Sequence, residues 1–350
     1  MTALVSASIS GGMETFDVVI IGAGPGGLRC ATVLARQGLS TLVLERKAVV
    51  GPKVCAGGIP YHALAELNIP LELQEASFPT QLIRTPWQQA RVHFAEPVIT
   101  TVNREALGAW QLAEARQAGA IIRTDVAVTA ITGTYVLTKT CKIAYRSLVG
   151  ADGSASMVRR HLGLASNRVG VGINYQVPGS WPEMEWHLAP QFFHSGYAWI
   201  FPHRHLTSVG AYADRNDLSA ATLHRRLLAW AKTRSIDLAG LNAQSALINF
   251  DYQGWNFKPV FLVGDAAGLA SGFTGEGIFP AIVSGETVAR TILVPSYQPL
   301  RLNHLLLRQK LHNRLQKFYT GNKVICQISL EMLVLAIRLK LIGFEVLEMY

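Results

Sequence analysis

Apolar residues along the chain switch between two periods. Phe16-Asp17-Val18-Val19-Ile20-Ile21 is a nearly continuous β-branched run, as in a strand covered on both faces. It leads through glycines into a helical stretch ending at Gln37, where Gly38 stops it. Ser40-Thr41-Leu42-Val43-Leu44-Glu45 then predicts a second short strand, which completes a βαβ unit. From Ala63 to Pro97 the pattern is mixed and broken by Pro70, Pro79, Pro86 and Pro97, so the chain leaves that unit. Val102-Asn103-Arg104 opens a helix over Glu105 to Gln117. Strands at 120–122 and 126–131 follow, feeding Ser147 to Gly153. Between Gly170 and Asn249, strand-like patches rich in aromatics surround one helix near Leu223 to Thr233, as in an antiparallel sheet with an apolar face. Val260 to Asp265 predicts another buried strand, Thr274 to Thr291 a glycine-entered helix, and a helical tail follows Pro299.

These elements divide the chain into two interleaved units. One comprises residues 14–69, 101–165 and 257–298, and the other 70–100 and 166–256; residues 299–350 form a helical region and 1–13 a loose tail. The first dozen residues lack the basic charge and apolar core of a secretory signal. No uninterrupted apolar run reaches the roughly 18 residues a spanning helix needs.

With 49% apolar and 16% charged side chains among 350 residues, disorder and collagen are excluded. The four cysteines, Cys30, Cys55, Cys141 and Cys326, contain no C-x-x-C pair, which indicates no disulfide framework and no metal cluster and fits a reducing cytoplasm. The formal charge is +9, and residues 301–350 hold eight Lys or Arg against three Asp or Glu. Leu302, Leu305, Leu306, Leu311, Leu315, Phe318 and Tyr319 fall near helical spacing there, among basic residues. Such a helix suits either packing on the catalytic domain or an anionic membrane surface, which would make the protein peripheral on the inner membrane face. Nucleic acid is not expected, because the charge lies on a leucine-rich tail without a reader motif.

Gly22-x-Gly24-x-x-Gly27, with Pro25 and Gly26 inside it, sits between a strand and a helix. Glu45 ends the next strand, 23 positions after Gly22. This spacing permits a tight turn, close approach of a pyrophosphate to the backbone at a helix N-terminus, and a carboxylate on the ribose hydroxyls. Glu45 disfavours a 2′-phosphate, but the fingerprint alone admits FAD or NAD. Val263-Gly264-Asp265-Ala266-Ala267-Gly268 resembles the second flavin motif of glutathione-reductase-type and hydroxylase-type proteins, in which the aspartate accepts from the ribityl chain. Gly150-Ala151-Asp152-Gly153 with Arg159 resembles the Asp-Gly signature of flavin monooxygenases and related reductases. Arg104 matches an arginine near the cofactor phosphates. Together these imply FAD.

Gly51-Pro52-Lys53-Val54-Cys55-Ala56-Gly57-Gly58-Ile59, Tyr197-Ala198-Trp199-Ile200-Phe201-Pro202 and Ser271-Gly272-Phe273-Thr274-Gly275-Glu276-Gly277-Ile278 make the resemblance narrower. From about Phe16 to Ala289 the chain resembles the geranylgeranyl reductase family of flavoproteins. That resemblance implies an α/β fold like that of p-hydroxybenzoate hydroxylase. It has a Rossmann-type FAD-binding domain, an interleaved antiparallel-sheet substrate domain and a C-terminal helical tail. It implies reduction of prenyl double bonds in a lipid or pigment by hydride transfer from reduced flavin. Arg46, Val126, Gly275, Gly277 and Ile278 join the cofactor site by the same resemblance. Tyr197 and Trp199 wall the substrate pocket, and Cys55 is the candidate proton donor. The family usually has Cys-Gly-Gly, whereas Ala56 here separates Cys55 from Gly57.

Without a second dinucleotide fingerprint, NADPH would dock transiently; reduced ferredoxin, an acidic carrier, is the alternative donor. His187, His194, His203 and His205 match no metal spacing, so no metal is expected. The competing readings are a flavin monooxygenase and a non-catalytic flavoprotein at a membrane surface.

Overall fold

A computed structural model describes residues 12–319 and 322–343. Most of the expected tail lies outside them, but Met13 already pairs with Lys142, so the first strand starts earlier than its apolar run. β1 (Met13–Ile21) runs into α1 (Pro25–Arg36) and then β2 (Thr41–Leu44). The chain departs through β3 (Gly58–Pro60), α2 (Tyr61–Glu66), β4 (Gln74–Phe78), β5 (Thr80–Arg84), β6 (Gln89–His93) and β7 (Ile99–Val102). It returns with α3 (Arg104–Gln117), β8 (Ile121–Arg123), β9 (Ala130–Ile131), β10 (Tyr135–Leu137) and β11 (Lys142–Gly150). α4 (Met157–His161) leads to β12 (Val169–Pro178), β13 (Met184–His187), α5 (Pro190–Phe193), β14 (Tyr197–Pro202), β15 (Leu206–Asp214), α6 (Ala220–Thr233) and β16 (Gln244–Asn249). β17 (Asn256–Phe257), β18 (Val260–Leu262), α7 (Ile278–Leu293), α8 (Leu300–Tyr319) and α9 (Lys323–Arg338) follow.

The first sheet has the order β17-β18-β11-β1-β2-β8, parallel from β18 to β8, with β9 and β10 as a hairpin beside β11. Its central strand is buried on both faces: Val18 and Ile20 enter one apolar cluster, Val19 and Ile21 another. That two-sided burial is why the run reads as continuous rather than alternating.

The second sheet has the order β16-β12-β15-β14-β13-β5-β6 and is antiparallel except where β5 pairs with β13. Here the alternation is clean. Ala198 and Ile200 of β14 pack with Leu223, Leu227 and Trp230 of α6, while Tyr197, Trp199 and Phe201 face the other way. A third sheet, β3-β7-β4, connects the two.

Three further boundaries and the inward face of one helix differ from the sequence reading. The strand expected at 126–131 shrinks to Ala130–Ile131, because the Val126 amide donates instead to the Glu45 carbonyl at 2.9 Å. The strand expected to reach Asp265 stops at Leu262 and continues as a 3-10 turn over Gly264–Ala266. The helix expected from Thr274 begins at Ile278, since residues 271–277 close on themselves: the Gly275 amide donates to the Ser271 carbonyl at 3.0 Å and the Ser271 amide to that of Glu276 at 2.9 Å. The leucine stripe of α8 is only half inward. Leu302 and Leu305 are buried but Leu311 is exposed, and Gln309, His312 and Gln316 complete the buried row. α8 therefore packs on the catalytic body through a seam that changes from apolar to polar along its length. No helix among the described residues is long and apolar enough to cross a membrane.

Candidate active site

The glycine-rich turn after β1 is shaped by contacts no side chain could replace. Gly22 has φ +105°, and a Cβ on Gly27 would stand 2.2 Å from the Gly22 carbonyl oxygen. α1 starts at Pro25 with Gly24 as its cap; no side chain caps it and its first turn holds no acid. Its positive end and free N–H groups are thus left for an anion. The Glu45 carboxylate accepts from the Ala23 amide at 2.8 Å and the Lys47 amide at 2.9 Å, which ties the end of β2 to this turn. Exposed Arg46 and half-buried Val126 border the same space.

Arg104, the first residue of α3, projects into the cavity wall. Its Nε and Nη1 are buried without a hydrogen-bond partner. Burial lowers its pKa, while the nearby Cys55 and Asp265 raise it. Buried guanidinium donors left unmatched by protein acceptors are costly unless a ligand supplies oxygens, so these residues fit the phosphates of FAD.

Asp265 lies in the 3-10 turn after β18. Its Oδ2 accepts from Lys53 Nζ at 2.9 Å and Ser154 Oγ at 3.0 Å, and a Cβ on Gly277 would come within 3.2 Å of its Oδ1. Gly264, Asp265 and the start of α7 at Gly277 and Ile278 therefore share one corner of the cavity with the Lys53 loop. Lys53 carried no role in the sequence, because its partner lies 212 positions away. Asp152 serves a local purpose: its carboxylate accepts from Ser156 Oγ at 2.5 Å and from the Met157 amide at 2.6 Å, capping α4. Burial raises its pKa against those bonds. Gly153, at φ +75°, turns the chain beside it.

The loop before α7 is held from two sides. Tyr197 and Tyr212 donate from their phenols to the Thr274 and Gly272 carbonyls, and His312 Nδ1 of α8 lies 2.9 Å from Ser271 Oγ. Gln309 adds bonds to the Gly268 and Ala270 carbonyls at 2.7 and 2.8 Å. α7 starts at Gly277 without a side-chain cap and with no acid in its first turn, and Gly275, Gly277 and Ile278 border the cavity there.

Beyond the loop the wall turns aromatic. Trp186 packs edge-on to Phe201 at 4.7 Å between ring centroids and tilts over Tyr197 at 5.5 Å. Trp199 donates from Nε1 to Ser208 Oγ at 2.9 Å, which in turn donates to Asn174 at 2.7 Å, so its polar edge is occupied and the ring acts as wall. Tyr197 is likewise engaged, and burial first, then Cys55 and Glu276, pushes its pKa up. Cys55 is half-buried, and its Sγ accepts from the Gly57 amide at 3.3 Å. Ala56 is what the extra residue after Cys55 provides: its carbonyl meets His203 Nε2 at 3.0 Å, while His203 Nδ1 lies 2.9 Å from Glu75. Gly57 has φ +82°, and a Cβ there would strike His203 Cε1 at 2.6 Å. His203 was legible only as one histidine of four; its place after the aromatic-proline strand is the signal that could have singled it out.

All the sequence-derived site residues, the glycine turns as well as Cys55, Tyr197 and Trp199, border one cavity of about 1130 Å³.

A parallel dinucleotide-binding sheet joined to an antiparallel sheet, with buried cationic and amide donors in the cavity between them, defines an FAD-dependent oxidoreductase. Residues 3–72 match the Thi4 family model. The geranylgeranyl diphosphate reductase of Rhodobacter capsulatus is 27% identical over 303 residues, covering 79% of this chain and 75% of that protein. The digeranylgeranylglycerophospholipid reductase 2 of Methanosphaera stadtmanae is 28% identical over 301 residues, covering 77% and 75%. Among solved structures, a geranylgeranyl bacteriochlorophyll reductase-like protein from Thermoplasma acidophilum superimposes with a TM-score of 0.74 at 21% identity, over 93% of this chain and 96% of that one. The chain is thus distantly homologous to geranylgeranyl reductases, and FAD is the cofactor that homology implies.

Proposed function

We propose that the protein reduces carbon–carbon double bonds of a prenyl chain carried by a lipid or pigment. The observation that carries this reading is the continuity of the cavity: the dinucleotide cradle opens directly onto a wall of Trp186, Tyr197, Trp199 and Phe201. The distant homology to reductases named for geranylgeranyl substrates supports the same class.

An isolated trisubstituted alkene is not polarised. Reduction needs a proton at one carbon as hydride reaches the other, and reduced FAD supplies the hydride when bound. The aromatic wall excludes water and holds the chain flat, which fixes the reacting atoms in line. Cys55 delivers the proton from Sγ and regains one from solvent after the product has left the pocket. Electrons enter from NADPH docked transiently or from reduced ferredoxin drawn by the basic surface.

Mass spectrometry of prenyl lipids incubated anaerobically with dithionite-reduced holoprotein tests the reading. Products heavier by hydrogen pairs are expected. Incorporation of oxygen only in air would make the protein a monooxygenase. Replacement of Cys55 by Ala should slow alkene reduction and leave flavin reduction by dithionite intact; undiminished alkene reduction removes Cys55 from the mechanism.

A further inference from the structure

α9 has two apolar faces. Cys326, Leu330, Val334 and Ile337 are buried, and Leu330 with Leu333 borders the cavity. On the opposite side Val324, Ile325, Ile328, Met332 and the capping Leu339 are 48–66% exposed. At the helical repeat these five fall in one stripe along the helix, roughly 24 Å long for 16 residues. The stripe contains no charge. Glu331, the one acid of α9, turns sideways to the β5–β6 turn, where it accepts from Thr85 Oγ1 at 2.6 Å, Gln88 Nε2 at 3.0 Å and the Trp87 amide at 3.1 Å. Trp87 itself is 68% exposed beside it. Exposed cations stand at both ends of the stripe: Lys323 at the start, Arg338 and Lys340 at the finish.

We infer that α9, rather than the basic α8, is the surface by which the protein rests on an anionic bilayer. A continuous exposed apolar stripe marks an interaction surface, and basic residues flanking it match lipid phosphates. The same charges oppose a second copy of this chain. A two-fold antiparallel pairing of the stripes would set Lys323 against Arg338 and Lys340, and a parallel one would stack like ends. Because its inner face borders the cavity, α9 separates the bilayer from the substrate chamber by one helix. A bilayer-held prenyl chain would then enter along its edge. That route, unlike the docking itself, rests on the prenyl-reduction reading.

The test is flotation of the full-length holoprotein with phosphatidylcholine vesicles, with and without phosphatidylglycerol. Binding is expected only to the anionic vesicles and should weaken as salt rises. The Ile328→Glu, Met332→Glu double variant should lower binding about tenfold or more with FAD content unchanged. Should that variant not fold, Lys323→Gln, Arg338→Gln, Lys340→Gln should abolish the preference for anionic lipid. Wild-type protein that stays off anionic vesicles, or variants that bind as wild type, would overturn the inference. So would a wild-type dimer that the glutamates split into monomers, which would assign the stripe to a second copy. The readout contains no reaction step, so an absence of prenyl reduction would leave it standing.

Discussion

Arg104 shows how one residue can be foreseen in type and not in consequence. Its position at the head of a helix and its match to a flavoprotein arginine were readable, but the burial of Nε and Nη1 without protein partners emerges only when α3 closes against the Cys55 and Asp265 loops. A buried guanidinium that waits for a ligand weakens the free protein and strengthens the complex. Arg104→Met should therefore raise the melting temperature of the FAD-free protein while weakening FAD about 10- to 100-fold, the range for hydrogen bonds to charged groups. Thermal denaturation of the FAD-free protein and fluorescence titration with FAD check the two halves separately. His203 was not assigned any part, because neither Glu75 nor Ala56 is near it in sequence.

At the scale of elements, strands and helices with one period were legible and those with mixed roles were not. β14 alternates because each face meets a different layer. α8 misleads because its buried row is continued by Gln309, His312 and Gln316, of which Gln309 and His312 bind the loops around the flavin motif rather than an apolar core. A reading by periodicity would treat Gln309→Leu as an improvement. The structure predicts the reverse: two carbonyls, of Gly268 and Ala270, would lose their donor, at a cost of about 1–3 kcal/mol for each group left buried. A lower denaturant midpoint with an unchanged slope is the expected result, and an equal or higher midpoint would show that the loops find other partners.

At the scale of the molecule, the second sheet is assembled from segments a hundred residues apart, and a carboxylate joins them. Glu185 of β13 accepts from Arg84 of β5 at 2.8 Å, from Trp181 at 2.9 Å and from His187 at 2.9 Å, with Arg234 beyond the end of α6 at 3.8 Å. Burial would raise its pKa, but the hydrogen bonds from His187, Trp181 and Arg84 outweigh it and hold the group at about 2. A folded pKa below the unfolded one gives stability that is present above the ordinary carboxylate range and is lost as pH falls through it towards 2. That contribution is up to about 3 kcal/mol at neutral pH. Glu185→Gln should thus be clearly less stable than wild type at pH 7, with the gap narrowing as pH is lowered; a gap independent of pH would rule this linkage out.

By itself the sequence determined the βαβ unit, the three glycine motifs and their order, the aromatic strand and so the cofactor class, because each is written in neighbours a few residues apart with a fixed backbone requirement. Tertiary structure alone decided that Lys53 meets Asp265, that His203 braces the Cys55 loop, that α8 serves the flavin loops and that α9 turns one apolar face to the cavity and another to solvent. Those pairings join residues tens to hundreds of positions apart. Which of many chemically suitable partners meet is settled by how the interleaved segments pack, and local patterning carries no record of it.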